Sequence, residues 1–142
     1  MSTLEDIDSG LNMNRMILGP VYLVDDVILL LDATPDVVAR KTRFHELVSL
    51  RTDDNYLVYP AWQFDHDGKV SPHIKTVYDI IHRSSGSDHF VSEWDAALWL
   101  GRYEYGTYDG RTGNHRRVHL LRGHHEEVIR LVLDDHMKGN ND

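Results

Sequence analysis

The sequence predicts a mainly α fold with one small β-hairpin, arranged as a winged helix-turn-helix followed by a small helical bundle. Apolar residues recur every three or four positions over much of the chain, which is the spacing of amphipathic helices. Two short β-prone runs, LVSLR and YLVYP, flank the polar turn TDDN and indicate a hairpin. The predicted divisions are a flexible N-terminus (1–18), the winged helix-turn-helix (19–64), a helical domain (65–138) and a disordered tail (139–142).

Two short helices should precede the hairpin. The run VDDVILLL places its apolar residues on one helical face. Thr34 then suits an N-cap, because its hydroxyl can accept a hydrogen bond from an unpaired backbone N–H. Pro35 suits the first helical turn, because a backbone N–H at that position would have no partner within the helix. The second helix should run from Pro35 to about His45. Its inward-facing residues are predicted to be Val37, Val38 and Phe44.

The segment YPAWQFDHDGKV raises three alternatives. Its aromatic rings could stack nucleic-acid bases, but the neighbouring aspartates oppose such a surface, so core packing is the better explanation. The DHDG stretch resembles the start of a calcium loop, but the further oxygen ligands and the closing glutamate do not follow. We therefore predict a structural joint, in which Tyr59, Trp62 and Phe64 pack between the two halves and Asp67-Gly68 forms a turn.

The second half should contain about four helices. The predicted helical segments are SPHIKTVYDIIHRS, SEWDAALWLG, HRRVHLLRG and HHEEVIRLVLDDHMKG. A glycine just past the last helical position is the usual stop, because it accepts the left-handed conformation. The stretch RYEYGTYDGRTGN, which is rich in Gly and Tyr, is predicted to be a loop.

Composition excludes several classes of function. The chain has no cysteine, which excludes disulfides, thiolate metal sites and cysteine nucleophiles. No apolar run approaches the roughly 20 residues of a membrane span, and the acidic N-terminus lacks the features of a signal peptide. We therefore expect a cytoplasmic protein with no membrane partner. The net charge of −8 opposes a dedicated polyanion binder, although residues 38–52 hold four Lys/Arg and one acid.

The basic second helix is the candidate DNA-binding element, and the alternative is a solvated helix face. The predicted DNA-facing residues are Thr34, Arg40, Lys41 and Arg43. Asp36 would repel phosphate there. Because the cations are few, binding should be weak and salt-sensitive, or should require a dimer or a partner.

The ten histidines are the candidate metal ligands. His115 and His119 would share one helical face at a spacing that can chelate zinc, but no H-E-x-x-H motif accompanies them, and Arg116 and Arg117 would repel a dication. We favour surface histidines. The sequence also lacks a phosphate-binding glycine loop and a G-x-S-x-G motif. We therefore predict no metal, no cofactor and no catalytic residues, and hence no enzyme.

The order of these motifs along the chain resembles the order found in a known protein family. A hairpin ending in YPAWQF, an acidic D-G turn and then a proline-led helix resemble bacterial antitoxins of the Xre/MbcA/ParS class, the partners of toxins with the RES domain. The similarity includes VDDVILLLDATPDVVARKTRFHELVSLR, SEWDAALWLGR and DGRT…VHLLRGHHEEVIRLV, and it covers about residues 20–135.

This resemblance implies a function. Such antitoxins bind the toxin through the C-terminal domain, cover the entrance to its NAD-consuming active site, and often bind their own promoter through the N-terminal domain. The implied partners are a RES-type toxin and operator DNA, with a homodimer or hetero-oligomer as the assembly. The implied toxin-binding residues are Gly110, Arg111, Leu120, Leu121, Arg122 and Gly123, together with the last helix.

The chain departs from the family pattern at TGNHRR, residues 112–117, where the usual Thr-Pro would lead directly into a helix. This segment is part of the surface that should meet a toxin. The alternative function is therefore a stand-alone, phage-type DNA-binding transcriptional regulator or an excisionase-like protein.

Overall fold

The computed structural model describes residues 17–85 and 89–136, in which helices and strands are interspersed. The helices are α1 (Val24–Leu31), α2 (Pro35–Arg43), α3 (Ile74–Ser85), α4 (His89–Gly101), α5 (Arg117–Leu120) and α6 (His125–His136). The strands are β1 (Val21–Leu23), β2 (Leu50–Arg51), β3 (Leu57–Pro60), β4 (Tyr103–Tyr108) and β5 (Arg111–Arg116). The regions predicted for the flexible N-terminus and the C-terminal tail lie largely outside the described residues.

The two helices predicted near the N-terminus are confirmed. Thr34 is the N-cap of α2, and its Oγ1 accepts a hydrogen bond from the Val37 N–H at 3.3 Å. The helix ends at Arg43, two residues earlier than predicted, because His45 adopts a left-handed backbone with φ 59°. Val38 is buried as predicted, but Phe44 is 48% exposed, because it lies past the end of the helix.

The predicted hairpin belongs to a three-stranded antiparallel sheet. Strand β3 lies in the centre, with β2 on one side and β1 on the other. Tyr22 of β1 is directly opposite Tyr59 of β3, and Leu50 of β2 is opposite Val58. Strand β1 has only three residues, too few to show a β pattern in the sequence, and so it was not predicted.

The predicted fold class, mainly α with a winged helix-turn-helix and a helical bundle, is wrong. The described residues form a mixture of helices with two antiparallel sheets, of three and two strands. The stretch predicted as a loop is the β4–β5 hairpin, which turns at Asp109 (φ 54°) and Gly110 (φ 80°). Two positive φ values define a type I′ turn, which matches the twist of its flanking strands. His115 and Arg116 therefore belong to β5, and α5 keeps only four residues.

Within residues 17–85 and 89–136, the buried side chains form two clusters. The smaller cluster contains Val27, Val38, Leu47 and Tyr59. The larger cluster is built mainly from α3, α4, α5 and α6, including the predicted face Ile74, Val77, Ile80 and Ile81. Val48, Leu50 and Trp62 also belong to the larger cluster, so residues before position 65 help to form the core of the second half.

The joint between the clusters is the 3₁₀ turn Ala61–Gln63. Gln63 is fully buried. Its Oε1 accepts the Val48 N–H at 2.7 Å, while its Nε2 donates to the carbonyls of Val48 at 2.8 Å and Pro60 at 3.0 Å. Trp62 donates its Nε1–H to the Ile17 carbonyl at 3.2 Å. One short turn therefore contacts the segment before β2, the end of β3 and the start of the described chain.

The rest of the joint also follows the sequence prediction. Tyr59 is buried and its hydroxyl lies 2.7 Å from that of Thr42, while Phe64 packs edge-on against Tyr22. Asp65 Oδ1 accepts the N–H groups of Asp67 at 2.8 Å and Lys69 at 2.9 Å, which closes the predicted turn. Hydrogen bonds from the Lys69 and Asp67 backbone lower the pKa of the Asp65 carboxyl, against a smaller opposing effect of desolvation.

None of the described helices combines the length and the hydropathy needed to cross a bilayer.

We expect Gln63→Met to destabilise the protein by about 2–4 kcal/mol, because methionine fills a similar space but leaves the Val48 N–H and C=O buried without partners. Urea unfolding followed by circular dichroism measures this free energy. Thr76→Ala, at an exposed position of α3, serves as the control and should change stability by less than about 0.5 kcal/mol. A similarly small effect of Gln63→Met would contradict the role of the amide.

Candidate functional site

The first candidate surface is the exposed side of α2, which we call the α2 surface and define by Asp36, Ala39, Arg40 and Arg43. All four residues are exposed. They are spaced three or four positions apart, so their side chains leave the helix on one face. Of the other predicted DNA-facing residues, Lys41 is half-buried and lies 3.8 Å from Glu46, and Thr34 is engaged as the N-cap.

Positive charge extends from α2 onto α3. The exposed ring of Phe44 lies below two cations, with the Arg43 guanidinium 5.4 Å and the Lys75 ammonium 5.9 Å from its centroid. A cation over an aromatic face is attracted by the ring quadrupole. Lys75 was not predicted as part of this surface, because it lies on α3 and no local sequence signal connects it to α2.

The hairpin beside α2 carries the opposite charge at its turn. Asp53 and Asp54 are exposed there, and Arg51 of β2 donates to the Asn55 side chain at 3.2 Å. Any polyanion that contacts α2 must therefore avoid this turn or neutralise it. The positive region considered for DNA therefore comprises α2 and the adjacent start of α3.

The second candidate is a cavity of about 370 Å³ between the β4–β5 turn and the connection from α5 to α6. Four of the six residues predicted to bind a toxin line it: Arg111, Leu120, Arg122 and Gly123. Gly110 lies in the adjoining turn. Leu121 is only 1% exposed and belongs to the core, so it is not available at the surface.

Three histidines also line this cavity, and they come from different elements. His115 lies on β5, His119 on α5 and His124 just before α6. The predicted sharing of one helical face by His115 and His119 is therefore wrong, because the helix begins only at Arg117. Within the described ranges, Asp65, His66 and Asp67 are three side chains close enough together to hold a metal. Their closeness is explained by the tight turn that Asp65 closes, described above.

The histidines differ in their contacts. His119 Nε2 lies 3.1 Å from the Trp62 carbonyl, which can only accept, so this nitrogen carries a proton. Burial lowers the pKa of His119; the carbonyl contact opposes this, and the nearby Arg122 and Arg116 charges lower it further. His124 lies 3.2 Å from Asp109 and 3.6 Å from Glu127. The Nε2 of His115 is buried and has no hydrogen-bond partner among the described residues.

The arginines near the cavity have different roles. Arg116 donates to the carbonyls of Ile17 and Gly101, and Arg117 forms an ion pair with Glu104 at 2.7 Å. These two guanidiniums stabilise the fold. Arg122 Nη2 donates to the carbonyls of Gln63 at 2.8 Å and Lys69 at 3.3 Å, which connects the cavity to the joint.

Comparison with known proteins gives a similarity of fold. No family model matches the sequence. No curated protein matches it either. The NMR structure of Rv2175c superimposes with a TM-score of 0.61 at 26% sequence identity, covering 82% of this chain and 81% of that one. The match therefore spans both the α2 half and the half that contains the cavity.

We predict that the free energy of unfolding decreases as the pH falls below about 6.5, the ordinary pKa of histidine. The pKa values of His119 and His73 are lowered in the folded protein, so the unfolded chain binds more protons in this range. His119→Gln keeps a donor for the Trp62 carbonyl but cannot titrate, and it should reduce the dependence.

Urea unfolding at pH 7.5 and pH 5.5 measures this dependence. The matched control is His66→Gln, at an exposed turn position, which should keep the wild-type difference between the two pH values. An unchanged difference in His119→Gln would show that His119 does not contribute.

Proposed function

We propose that the protein is a DNA-binding transcriptional regulator that presents the α2 surface to duplex DNA. The observation that carries the proposal is the exposed stripe of Asp36, Ala39, Arg40 and Arg43 on one face of a capped helix. The major groove of B-DNA admits an α-helix, and each of these side chains has a match at a base edge or a phosphate.

The order of residues along α2 supports this function. Asp36, in the first turn, can accept a hydrogen bond from a cytosine amino group, and Arg40, one turn later, can donate two to guanine. Ala39 between them allows the helix to approach the base pairs closely. Arg43 and Lys75 lie towards the C-terminal end of α2, where they would contact phosphates. Asp36 thus contributes to base recognition instead of opposing DNA.

The small number of cations predicts that affinity is modest and depends on salt. Two copies binding two half-sites would raise it, since paired recognition helices read sites one helical turn apart. A homodimer is therefore part of the proposal, and the cytoplasm is the compartment in which such a regulator would act.

The double variant Arg40→Ala/Arg43→Ala should weaken binding to the DNA upstream of its own gene at least tenfold. It should also lower the slope of log affinity against log salt by about 0.9, because the variant loses the phosphate contact of Arg43. Fluorescence anisotropy with a labelled duplex, from 50 to 200 mM salt, measures both quantities. Arg130→Ala, an exposed arginine on α6, is the control. Absence of wild-type binding at 50 mM salt, or equal losses in both variants, would contradict the proposal.

A second candidate function is that of an antitoxin that neutralises a RES-type, NAD-consuming toxin by direct binding and represses its own operon through the α2 surface. The observation that favours it is the convergence of Arg111, Leu120, Arg122 and Gly123 around one cavity beside Gly110. These residues come from β5, from α5 and from the connection to α6, and a partner could contact the exposed members of the group together.

Co-expression with the protein encoded by the neighbouring gene tests this function, which requires that protein to carry a RES domain. Wild-type protein should restore growth, whereas Arg111→Glu should lose most of the rescue, because it reverses a charge at the exposed rim. Arg40→Ala/Arg43→Ala should still rescue growth when both proteins are expressed from a foreign promoter. If wild-type protein neither binds the neighbour nor restores growth, the antitoxin function is excluded.

A further inference from the structure

The cavity beside the β4–β5 turn carries an excess of positive charge. Two guanidinium groups, those of Arg111 and Arg122, line it together with one carboxylate, that of Asp109. The Asp109 carboxylate already has a partner, because its Oδ1 lies 3.2 Å from His124 Nε2. The two guanidiniums and the single carboxylate therefore leave an excess of one positive charge on the lining of the cavity.

Both guanidiniums retain donors for a ligand. The side chain of Arg111 is exposed, and its guanidinium makes no hydrogen bond or ion pair with any residue in 17–85 or 89–136. Arg122 uses only Nη2 for the joint, and within the same ranges its Nη1 and Nε donate to no atom. A guanidinium presents its donors in a planar fork that matches a carboxylate or a phosphate.

His115 provides an independent observation. Its buried Nε2 has no hydrogen-bond partner in the described part of the chain, although buried polar atoms are nearly always paired. The ring of Tyr108 packs edge-on against His115, with 5.1 Å between centroids, and against His124 at the same distance. Rotation of the His115 ring relative to Tyr108 would let Nε2–H donate to a molecule in the cavity.

We propose that this cavity binds a small molecule through an oxyanion, either a carboxylate or a phosphate, held by Arg111, Arg122 and His115. The volume of about 370 Å³ lies within the usual range for small-molecule sites. A cation is disfavoured by the two guanidiniums. The site goes beyond the proposed DNA binding, because it lies on the other half of the molecule and uses none of the residues of the α2 surface.

NMR of the full chain, labelled with ¹⁵N, tests the site directly. Sodium phosphate and sodium acetate are titrated separately at pH 7, with sodium chloride adjusted to keep the ionic strength constant. We expect saturable shifts of the His115 imidazole resonances and of the Arg111 and Arg122 Nε–H resonances. Tighter binding of phosphate assigns the ligand to the phosphate class, and tighter binding of acetate assigns it to the carboxylate class.

Two variants make the test specific. Arg111→Gln, on the exposed hairpin, should raise the dissociation constant at least fivefold and leave the backbone spectrum outside the hairpin unchanged. Arg130→Gln on α6 should bind as wild type does. The proposal is overturned if both anions give linear, non-saturating shifts, or if Arg111→Gln binds the preferred anion as tightly as wild type. DNA binding by the α2 surface is measured separately, so failure of either proposal leaves the other intact.

Discussion

The buried amide of Gln63 is the interaction on which the arrangement of this protein depends. An amide is at once donor and acceptor, so it can satisfy both backbone groups of Val48, and it also binds the carbonyl of Pro60. The carbonyl of Gln63 itself accepts a hydrogen bond from Arg122. One residue thereby joins the segment before β2, the end of β3 and the connection from α5 to α6, and no apolar side chain of similar size could replace these bonds.

This joint gives the two candidate surfaces a fixed common support. On one side, Tyr59 is next in the chain to Pro60 and bonds to Thr42 of α2, which holds the helix with its basic stripe outward. On the other side, the Trp62 carbonyl contacts His119 and the Gln63 carbonyl contacts Arg122, both of which line the cavity. The α2 surface and the cavity therefore depend on neighbouring residues of one 3₁₀ turn, although they are formed by different halves of the chain.

The sequence correctly predicted those elements whose start or buried face depends on residues close together in the chain. Thr34 and Pro35 set the start of α2, and the spacing of Ile74, Val77 and Ile81 gave the buried face of α3. The β4–β5 hairpin was missed although Asp-Gly is a strong turn signal, because neither strand, YEYGTY or RTGNHR, contains an aliphatic residue and so neither shows the usual polar–apolar alternation. Strand β1 has no signal of its own, since three residues become a strand only where β3 offers hydrogen bonds.

The sequence by itself determined the capped basic helix and the spacing that places Asp36, Ala39, Arg40 and Arg43 on one face, because each follows from interactions within a few residues. Only the tertiary structure decided that this face of α2 is exposed, that Lys75 shares the Phe44 ring with Arg43, and that Arg111, His115 and Arg122 line one cavity. Those arrangements join residues on separate elements, and the relative positions of the elements are set by long-range packing and by the hydrogen bonds of Gln63.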